Sequence, residues 1–126
     1  MLTDTTFWID LLTERQAGRR GPVHDFMAAH RTSAFYVSII TWGELAEGFA
    51  EHSHLDQFLR GVRILPLPRQ VVWMGSRVQR LMRRSRLGEN DTWIAATALV
   101  WGKRLVTRDS AFSRVPRLTV VPYARS

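Results

Sequence analysis

The hydrophobic and polar positions of this 126-residue chain alternate between the spacing of strands and the spacing of helices. Short β-branched or aromatic runs predict strands at Met1-Leu2, Ala34 to Ser38, "RILPL", "RLVT" and "LTVV". Apolar residues three or four positions apart predict helices in "TTFWIDLLTE", Pro22 to His30, "ITWGELAEGFAEH", Leu55 to Arg60, Arg69 to Arg86 and Asn90 to Trp101. Because strands alternate with helices, we expect an α/β fold with a mainly parallel sheet and helices on both faces.

The length favours a single domain over residues 1–126. The chain contains no cysteine, which points away from disulfides and thiolate metal sites and towards the cytoplasm. Its first ten residues lack the basic and then apolar pattern of a signal peptide. The longest apolar run, Trp93 to Trp101, is far shorter than the ~20 residues that a bilayer requires. We therefore expect a cytoplasmic protein without a membrane partner.

The formal net charge is +7, and 17 of the 18 basic residues are arginine. A GC-rich coding sequence also raises the arginine content, but the net charge favours a polyanionic partner. Arg77, Arg80 and Arg84 share one side of the helix predicted from Arg69 to Arg86. They are candidates for binding RNA phosphates, with an ordinary solvated helix face as the alternative.

Four acids occupy equivalent places in the predicted elements. Asp4 and Asp109 follow strands, Glu44 lies in the first turns of the helix after the strand "AFYVS", and Asp91 lies at the start of the last helix. Each has a local alternative: a helix cap for Asp4 and Asp91, a capping box with Thr41 for Glu44, and a turn for Asp109. In a parallel sheet, however, the carboxyl ends of the strands and the starts of the next helices share one edge, where ligands bind. The four acids are therefore expected to converge.

Converging carboxylates repel one another unless a hard cation such as Mg²⁺ or Mn²⁺ joins them. Such a cation can hold a phosphodiester, activate water and stabilise a leaving oxygen. Six other acids lack this placement and are interpreted mainly as solvated charges: Asp10, Asp25, Glu47, Glu51, Asp56 and Glu89. Among them, Glu47 and Glu89 are candidates for supporting the site. The histidines show no metal-binding spacing, and the chain contains neither a nucleophile elbow nor a Walker loop.

Five tryptophans exceed what a small core buries, which suggests that one or two lie in an interface.

The segments "LTDTTFWIDLL", "VSIITWGELAEG", "NDTWIAATALVWGKRLVTRDSAF" and "LTVVPY" resemble, in order, a PIN-domain ribonuclease of the VapC toxin type. The most specific part is D-x-W-I-A-A-T-A followed by L-V-T-R-D-x-x-F. The resemblance implies a three-layer PIN fold in which Asp4, Glu44, Asp91 and Asp109 form the catalytic, metal-binding site. Thr5 and Thr107 are expected to support these acids. Thr6 stands where the family often has Asn or Ser.

The same resemblance implies an Mg²⁺- or Mn²⁺-dependent endoribonuclease that inhibits translation by cleaving a structured RNA, either tRNA or rRNA. It also implies control by a cognate VapB-like antitoxin and assembly as a homodimer. Two alternatives stay open. The first is a phosphoacceptor receiver module, which also gathers acids at strand ends. Such a module requires paired acids after the first strand and a lysine near the site late in the chain. Here Asp4 is unpaired, and Lys103 precedes the late strand "RLVT". A non-catalytic RNA-binding domain of the same fold is the other.

Overall fold

A five-stranded parallel sheet forms the middle layer of the protein in a computed structural model that describes residues 1–125. The strands are β1 (Leu2–Thr3), β2 (Tyr36–Ser38), β3 (Arg63–Leu65), β4 (Leu105–Val106) and β5 (Val120–Val121), in the order β3-β2-β1-β4-β5. Leu2 pairs with Leu105 and Thr3 with Val106, so the residues that follow β1 and β4 emerge side by side. The predicted α/β class with a parallel sheet is confirmed.

Six α-helices and one 3₁₀ helix connect the strands in the described residues. They are α1 (Thr5–Gln16), α2 (Pro22–Ala29), α3 (Ile39–Ala46), α4 (His52–Phe58), α5 (Arg69–Leu81), α6 (Glu89–Trp101) and the 3₁₀ helix at Ser110–Arg114. Between residues 1 and 125, no helix combines the length and the apolar character that a membrane crossing requires.

The sheet separates two hydrophobic clusters, because successive side chains of a strand point to opposite faces. Val106 packs with Phe7, Trp8 and other residues of α1 to α4, whereas its neighbour Leu105 packs with residues of α5, α6 and the 3₁₀ helix. Leu105 and Val106 are both fully buried. Two buried clusters and one sheet make the expected three-layer arrangement.

Two predicted helices end earlier than the apolar spacing suggests. The helix expected to run from Arg69 to Arg86 ends at Leu81, where the chain turns so that Met82 and Leu87 enter the core beside α6. Leu81, one of the apolar residues whose spacing predicts that helix, is 67% exposed. The helix expected over "ITWGELAEGFAEH" ends at Ala46, and α4 begins separately at His52, three residues before the predicted start of the next helix. These limits follow from long-range packing that helical spacing does not encode.

Gly75 determines how closely α5 approaches α6. A Cβ atom at this position would lie 2.5 Å from Cζ3 of Trp93, which is closer than two carbon atoms can approach. One turn further along α5, the Gln79 side-chain amide donates to the Thr92 hydroxyl at 3.2 Å. This close contact holds the first turn of α6, and with it Asp91, against the rest of the protein.

Candidate active site

Asp4 is the single residue between β1 and α1, and it is the N-cap of α1. Its backbone N–H donates to the carbonyl of Val106 on β4 at 3.1 Å, and its Oδ1 accepts from the backbone N–H of Phe7 at 2.9 Å. Its other oxygen, Oδ2, accepts a short hydrogen bond from the Thr107 hydroxyl. The residue is only 4% exposed. Asp4 therefore caps α1, as the local interpretation of its sequence context predicts, and it also lies directly after a strand.

Thr107 connects Asp4 to Asp109. Its hydroxyl donates to Asp4 and accepts from the backbone N–H of Asp109 at 3.0 Å. Asp109 in turn caps the 3₁₀ helix, since its Oδ1 accepts from the backbone N–H of Ala111 at 2.9 Å. Asp109 has the turn-forming role suggested by its local sequence, and its side chain stays exposed beside the buried Asp4.

Glu44 reaches this edge of the sheet from the middle of α3. The cap of α3 is Ser38, whose hydroxyl accepts from the backbone N–H of Thr41 at 3.1 Å. The capping-box alternative for Glu44 is therefore wrong, because the helix begins directly at the end of β2, one turn before Thr41. Glu44 Oε1 accepts from the Thr5 hydroxyl at 2.6 Å, and its Oε2 accepts from the Asn90 side chain at 3.3 Å.

Asp91 is the third residue of α6, and Gly88 occupies the cap position. The helix-cap alternative for Asp91 is therefore wrong, since the helix starts two residues before it. Burial raises the pKa of Asp91, and the neighbouring Asp109 and Glu44 raise it further. An acid at the start of a helix also lies at the positive end of the helix dipole, which favours its ionised form.

Burial raises the pKa of Asp4 to about 6. The hydrogen bonds from Thr107 and the Phe7 backbone oppose this shift, while the charges of Asp91 and Asp10 add to it. Asp4 thus lies within electrostatic reach of Asp91, which itself lies within reach of Asp109 and Glu44. The structure brings the four predicted acids into one electrostatic group.

This group has oxygen donors that suit a hard divalent cation, and no basic side chain forms a salt bridge with any of its four members within residues 1–125. In the same residues, no three carboxylate or imidazole groups are close enough to enclose an ion as placed. Burial raises the pKa values of Asp4 and Asp91, neighbouring acids raise them further, and no basic side chain in the described part of the chain lowers them. The donors thus suit a divalent cation in chemical type, but their spacing would require water molecules between some of them and the ion.

A family model described as the PIN domain matches residues 1–118. The chain belongs to the PIN domain family. Among curated proteins, none matches this PIN domain in sequence.

Solved structures with the same fold include toxin–antitoxin complexes. A toxin–antitoxin complex from Klebsiella pneumoniae is 25% identical, with a TM-score of 0.69 over 95% of this chain and 94% of that chain. VapBC2 from Rickettsia felis, bound to a DNA fragment from its promoter, is 17% identical, with a TM-score of 0.81 over 98% of both chains. DNA-bound VapBC from Salmonella typhimurium is 18% identical, with a TM-score of 0.79 over 96% of both chains.

The sequence interpretation of this PIN domain misses a network beside Asp4. Arg108 Nε donates to Asp10 Oδ2 at 2.8 Å, and the Tyr123 hydroxyl donates to the same oxygen at 2.9 Å. Burial raises the pKa of Tyr123, and the charge of Asp4 contributes. The sequence pattern assigns Asp10 to the solvated charges, because nothing local relates it to partners 98 and 113 residues away.

Glu47 and Glu89, the two acids considered as support for the site, are exposed. Neither forms a side-chain hydrogen bond with the described residues.

The three arginines predicted to bind RNA differ in their surroundings. The guanidinium of Arg77 stacks over the Trp73 ring, 4.3 Å from its centroid, and also donates to the Ser76 hydroxyl at 3.3 Å. Arg80 lies exposed in the last turn of α5, and Arg84 lies exposed in the loop that follows. Arg80 and Arg84 keep their place as candidates, whereas Arg77 is already engaged with an aromatic ring.

Proposed function

We propose that this PIN domain is a VapC-type toxin that cleaves RNA phosphodiester bonds in an Mg²⁺- or Mn²⁺-dependent reaction. The observation that carries the proposal is the group of Asp4, Glu44, Asp91 and Asp109, gathered at the carboxyl edge of a parallel sheet without a basic partner among residues 1–125. Structural neighbours that are toxin–antitoxin complexes support the toxin assignment.

The four acids would hold one or two divalent ions, directly or through water. A bound ion supplies Lewis-acid stabilisation of developing charge and lowers the pKa of water. The hydrogen bonds from Thr107 and Phe7 fix both oxygens of Asp4, so this carboxylate presents a preset orientation to its ligand. Thr5 and Asn90 do the same for the two oxygens of Glu44. The exposed Asp109 is the member most open to substrate.

The proposed partners follow from the family. A structured RNA, tRNA or rRNA, is the proposed substrate, and inhibition of translation in the cytoplasm is the proposed consequence. A VapB-like antitoxin would silence the enzyme, and an arginine inserted among the acids would do so by replacing the cation. A homodimer is also proposed, because Trp73 on α5 is 62% exposed and Val72 beside it is 43% exposed.

The test is cleavage of purified RNA by the parent protein and by Asp4→Asn, each with Mg²⁺, with Mn²⁺ and with chelator. We expect cleavage only by the parent in the presence of metal. Tight RNA binding without cleavage in any of these conditions would instead favour the non-catalytic RNA-binding domain. The receiver alternative has no support from geometry, because Lys103 lies over the Tyr36 ring at the beginning of β2, away from the acids.

A further inference from the structure

Arginines from two separate segments line one open cleft. Arg83 and Arg84 belong to the loop after α5, and Arg114 is the last residue of the 3₁₀ helix that Asp109 caps. The cleft has a volume of about 350 Å³, and its other lining residues are Leu81, Met82 and Ser85. All three arginines are exposed.

Nothing among the described residues neutralises these three charges. None of the three guanidinium groups forms a salt bridge or a side-chain hydrogen bond within residues 1–125. The sequence contains no acid between Arg77 and Gly88, and none after Asp109. Three cations around one space repel one another, so the cleft is suited to an anion that accepts several N–H donors.

The position of the cleft indicates which anion it would take. Arg114 is separated from Asp109 by the length of the 3₁₀ helix, which at ~2 Å per residue amounts to ~10 Å. A nucleic-acid strand whose reacting bond lies at the acids could therefore reach the cleft with a neighbouring phosphate. Arginine pairs with a phosphate through two parallel N–H donors, and a strand presents phosphates at regular intervals.

We propose that the cleft formed by Arg83, Arg84 and Arg114 binds a backbone phosphate of the RNA strand that flanks the cleaved bond. This proposal rests on the proposed function, because the nuclease assignment is what makes the bound strand RNA. It assigns a role to Arg114, which the sequence pattern does not select, because only the fold brings this residue to the loop after α5. It also separates binding from chemistry, since the arginines hold the strand while the acids act on it.

The experiment measures RNA binding in chelator, where cleavage is absent, over a series of salt concentrations. The double variant R83Q/R114Q should bind single-stranded RNA more weakly than the parent, uniformly over sequences. The slope of log K against log salt should fall by ~0.7 for each phosphate that the variant no longer binds. R60Q/R63Q is the matched control, because it also removes two exposed arginines. Arg63 begins β3, Arg60 lies just before it, and β3 is the edge strand at the other side of the sheet from β4 and β5. The control should keep the parental slope.

A second measurement uses substrate length. With metal present, R83Q/R114Q should cleave a long RNA with a KM raised several-fold and nearly unchanged kcat, whereas a dinucleotide too short to reach the cleft should be cleaved as by the parent. Equal losses in R83Q/R114Q and R60Q/R63Q would overturn the proposal, since a general charge effect would explain both. The proposal would also be overturned if R83Q/R114Q kept the parental salt dependence of RNA binding but no longer bound polyglutamate. The cleft would then bind an acidic protein segment.

The two hypotheses fail in distinguishable ways. If the parent binds RNA in chelator with the expected slope change in R83Q/R114Q but cleaves nothing with metal, the cleft stands as a site for RNA phosphate and the nuclease proposal falls. If the parent cleaves RNA with metal while R83Q/R114Q binds and cleaves as the parent does, the nuclease stands and the cleft falls. Circular dichroism and thermal melting of each variant confirm that these surface substitutions leave the fold intact.

Discussion

Asp4 shows how a single side chain can serve both folding and chemistry. Its Oδ1 caps α1 through Phe7, while its Oδ2 is held by Thr107, the residue that follows β4. A cap needs only an acceptor, and Asn serves there almost as well as Asp. The negative charge is therefore not required for capping, and burial makes it costly, as the raised pKa of about 6 indicates. A charge that folding does not need is best explained by a ligand that does need it.

The first prediction concerns the chemistry of the acids. Asp4→Asn, Asp91→Asn and Asp109→Asn should each keep the fold yet reduce kcat/KM for RNA cleavage by ~10²-fold or more, the scale of losing one preorganised electrostatic group. Asp25→Asn is the control, because Asp25 is an exposed acid on α2 whose contact with Arg20 is long, at 3.9 Å. Near-parental turnover in two of the three site variants would remove those residues from the proposed site.

The second prediction concerns the pH dependence of stability in chelator. The pKa of Asp4 is raised from 3.8 to about 6 in the folded protein. The folded state therefore binds more protons than the unfolded state between these values, and the free energy of unfolding falls as pH rises through them. Asp4→Asn lacks this loss and should be more stable than the parent at pH 8, on the order of 2 kcal/mol.

Metal should reduce this difference in stability between Asp4→Asn and the parent. At ~100 times its dissociation constant, a cation that binds only the folded parent adds about 2.7 kcal/mol of stability. The same concentration should stabilise Asp4→Asn less, because one ligand is gone. Thermal melting of both proteins, with chelator and with Mn²⁺ at fixed ionic strength, measures both effects. Equal metal-induced shifts would show that Asp4 does not help to hold the ion.

At the scale of elements, the corner between α1 and α2 depends on one buried acid. Glu14 is 3% exposed, and its carboxylate accepts from the backbone N–H groups of Gly21 and Val23, both at 2.9 Å. It also accepts from the backbone N–H of His24 at 3.1 Å and contacts the Nδ1 atom of that ring at 2.6 Å. Since Gly21 caps α2 without a side chain, Glu14 supplies the acceptors that the free N–H groups of this helix end require.

The third prediction follows from this corner. Burial acts to raise the pKa of Glu14, but the hydrogen bonds from His24 and the backbone outweigh it, so the pKa lies below its usual 4.5. The stabilisation is therefore present above pH ~4.5 and is lost as pH falls through the lowered value. Glu14→Gln should cost ~1–3 kcal/mol at pH 7 in urea unfolding, and the gap from the parent should narrow in acid. Glu47→Gln, at an exposed acid, should change neither the free energy of unfolding at pH 7 nor its dependence on pH.

At the scale of the whole molecule, Asp10 connects three distant parts of the chain. Through Arg108 and Tyr123 it joins α1 to the turn after β4 and to the segment after β5. Both Asp10 and Arg108 are largely shielded from water, with side chains 17% and 25% exposed. The turn that carries Arg108 also carries Thr107 and Asp109, so this ion pair helps to set the position of the proposed site.

The fourth prediction tests this connection with a double-mutant cycle. Asp10→Asn should destabilise the protein by ~1–3 kcal/mol, because it removes the carboxylate that accepts from a partly buried guanidinium. Arg108→Gln should cost a similar amount, and the double variant should cost less than the sum of the two. The free energies come from urea unfolding at pH 7. Strict additivity would mean that the two side chains do not interact in solution.

The fifth prediction concerns assembly. Trp73 is 62% exposed on α5, more than a large aromatic side chain of a monomer usually is. If this face forms the proposed homodimer, Trp73→Asp should shift the protein to monomer in analytical ultracentrifugation while its melting curve keeps a cooperative transition. Ile9→Asp is the control, since Ile9 is 49% exposed on α1, whose core contacts lie on the other face of the sheet. A dimer that survives Trp73→Asp would place the contact elsewhere.

The class of fold and the position of the acids along it follow from the amino-acid sequence alone. Apolar spacing changes with each element, and acids that follow strands can be recognised from neighbouring residues, so Asp4 and Asp109 are placed correctly at strand ends. What these side chains contact depends on the tertiary structure. Ser38 rather than Thr41 caps α3, and Asp10 reaches Arg108 across 98 positions. The fold also brings Arg114 to the cleft of Arg83 and Arg84. Local spacing cannot reveal such contacts, because they depend on where packing ends each helix and turns the chain.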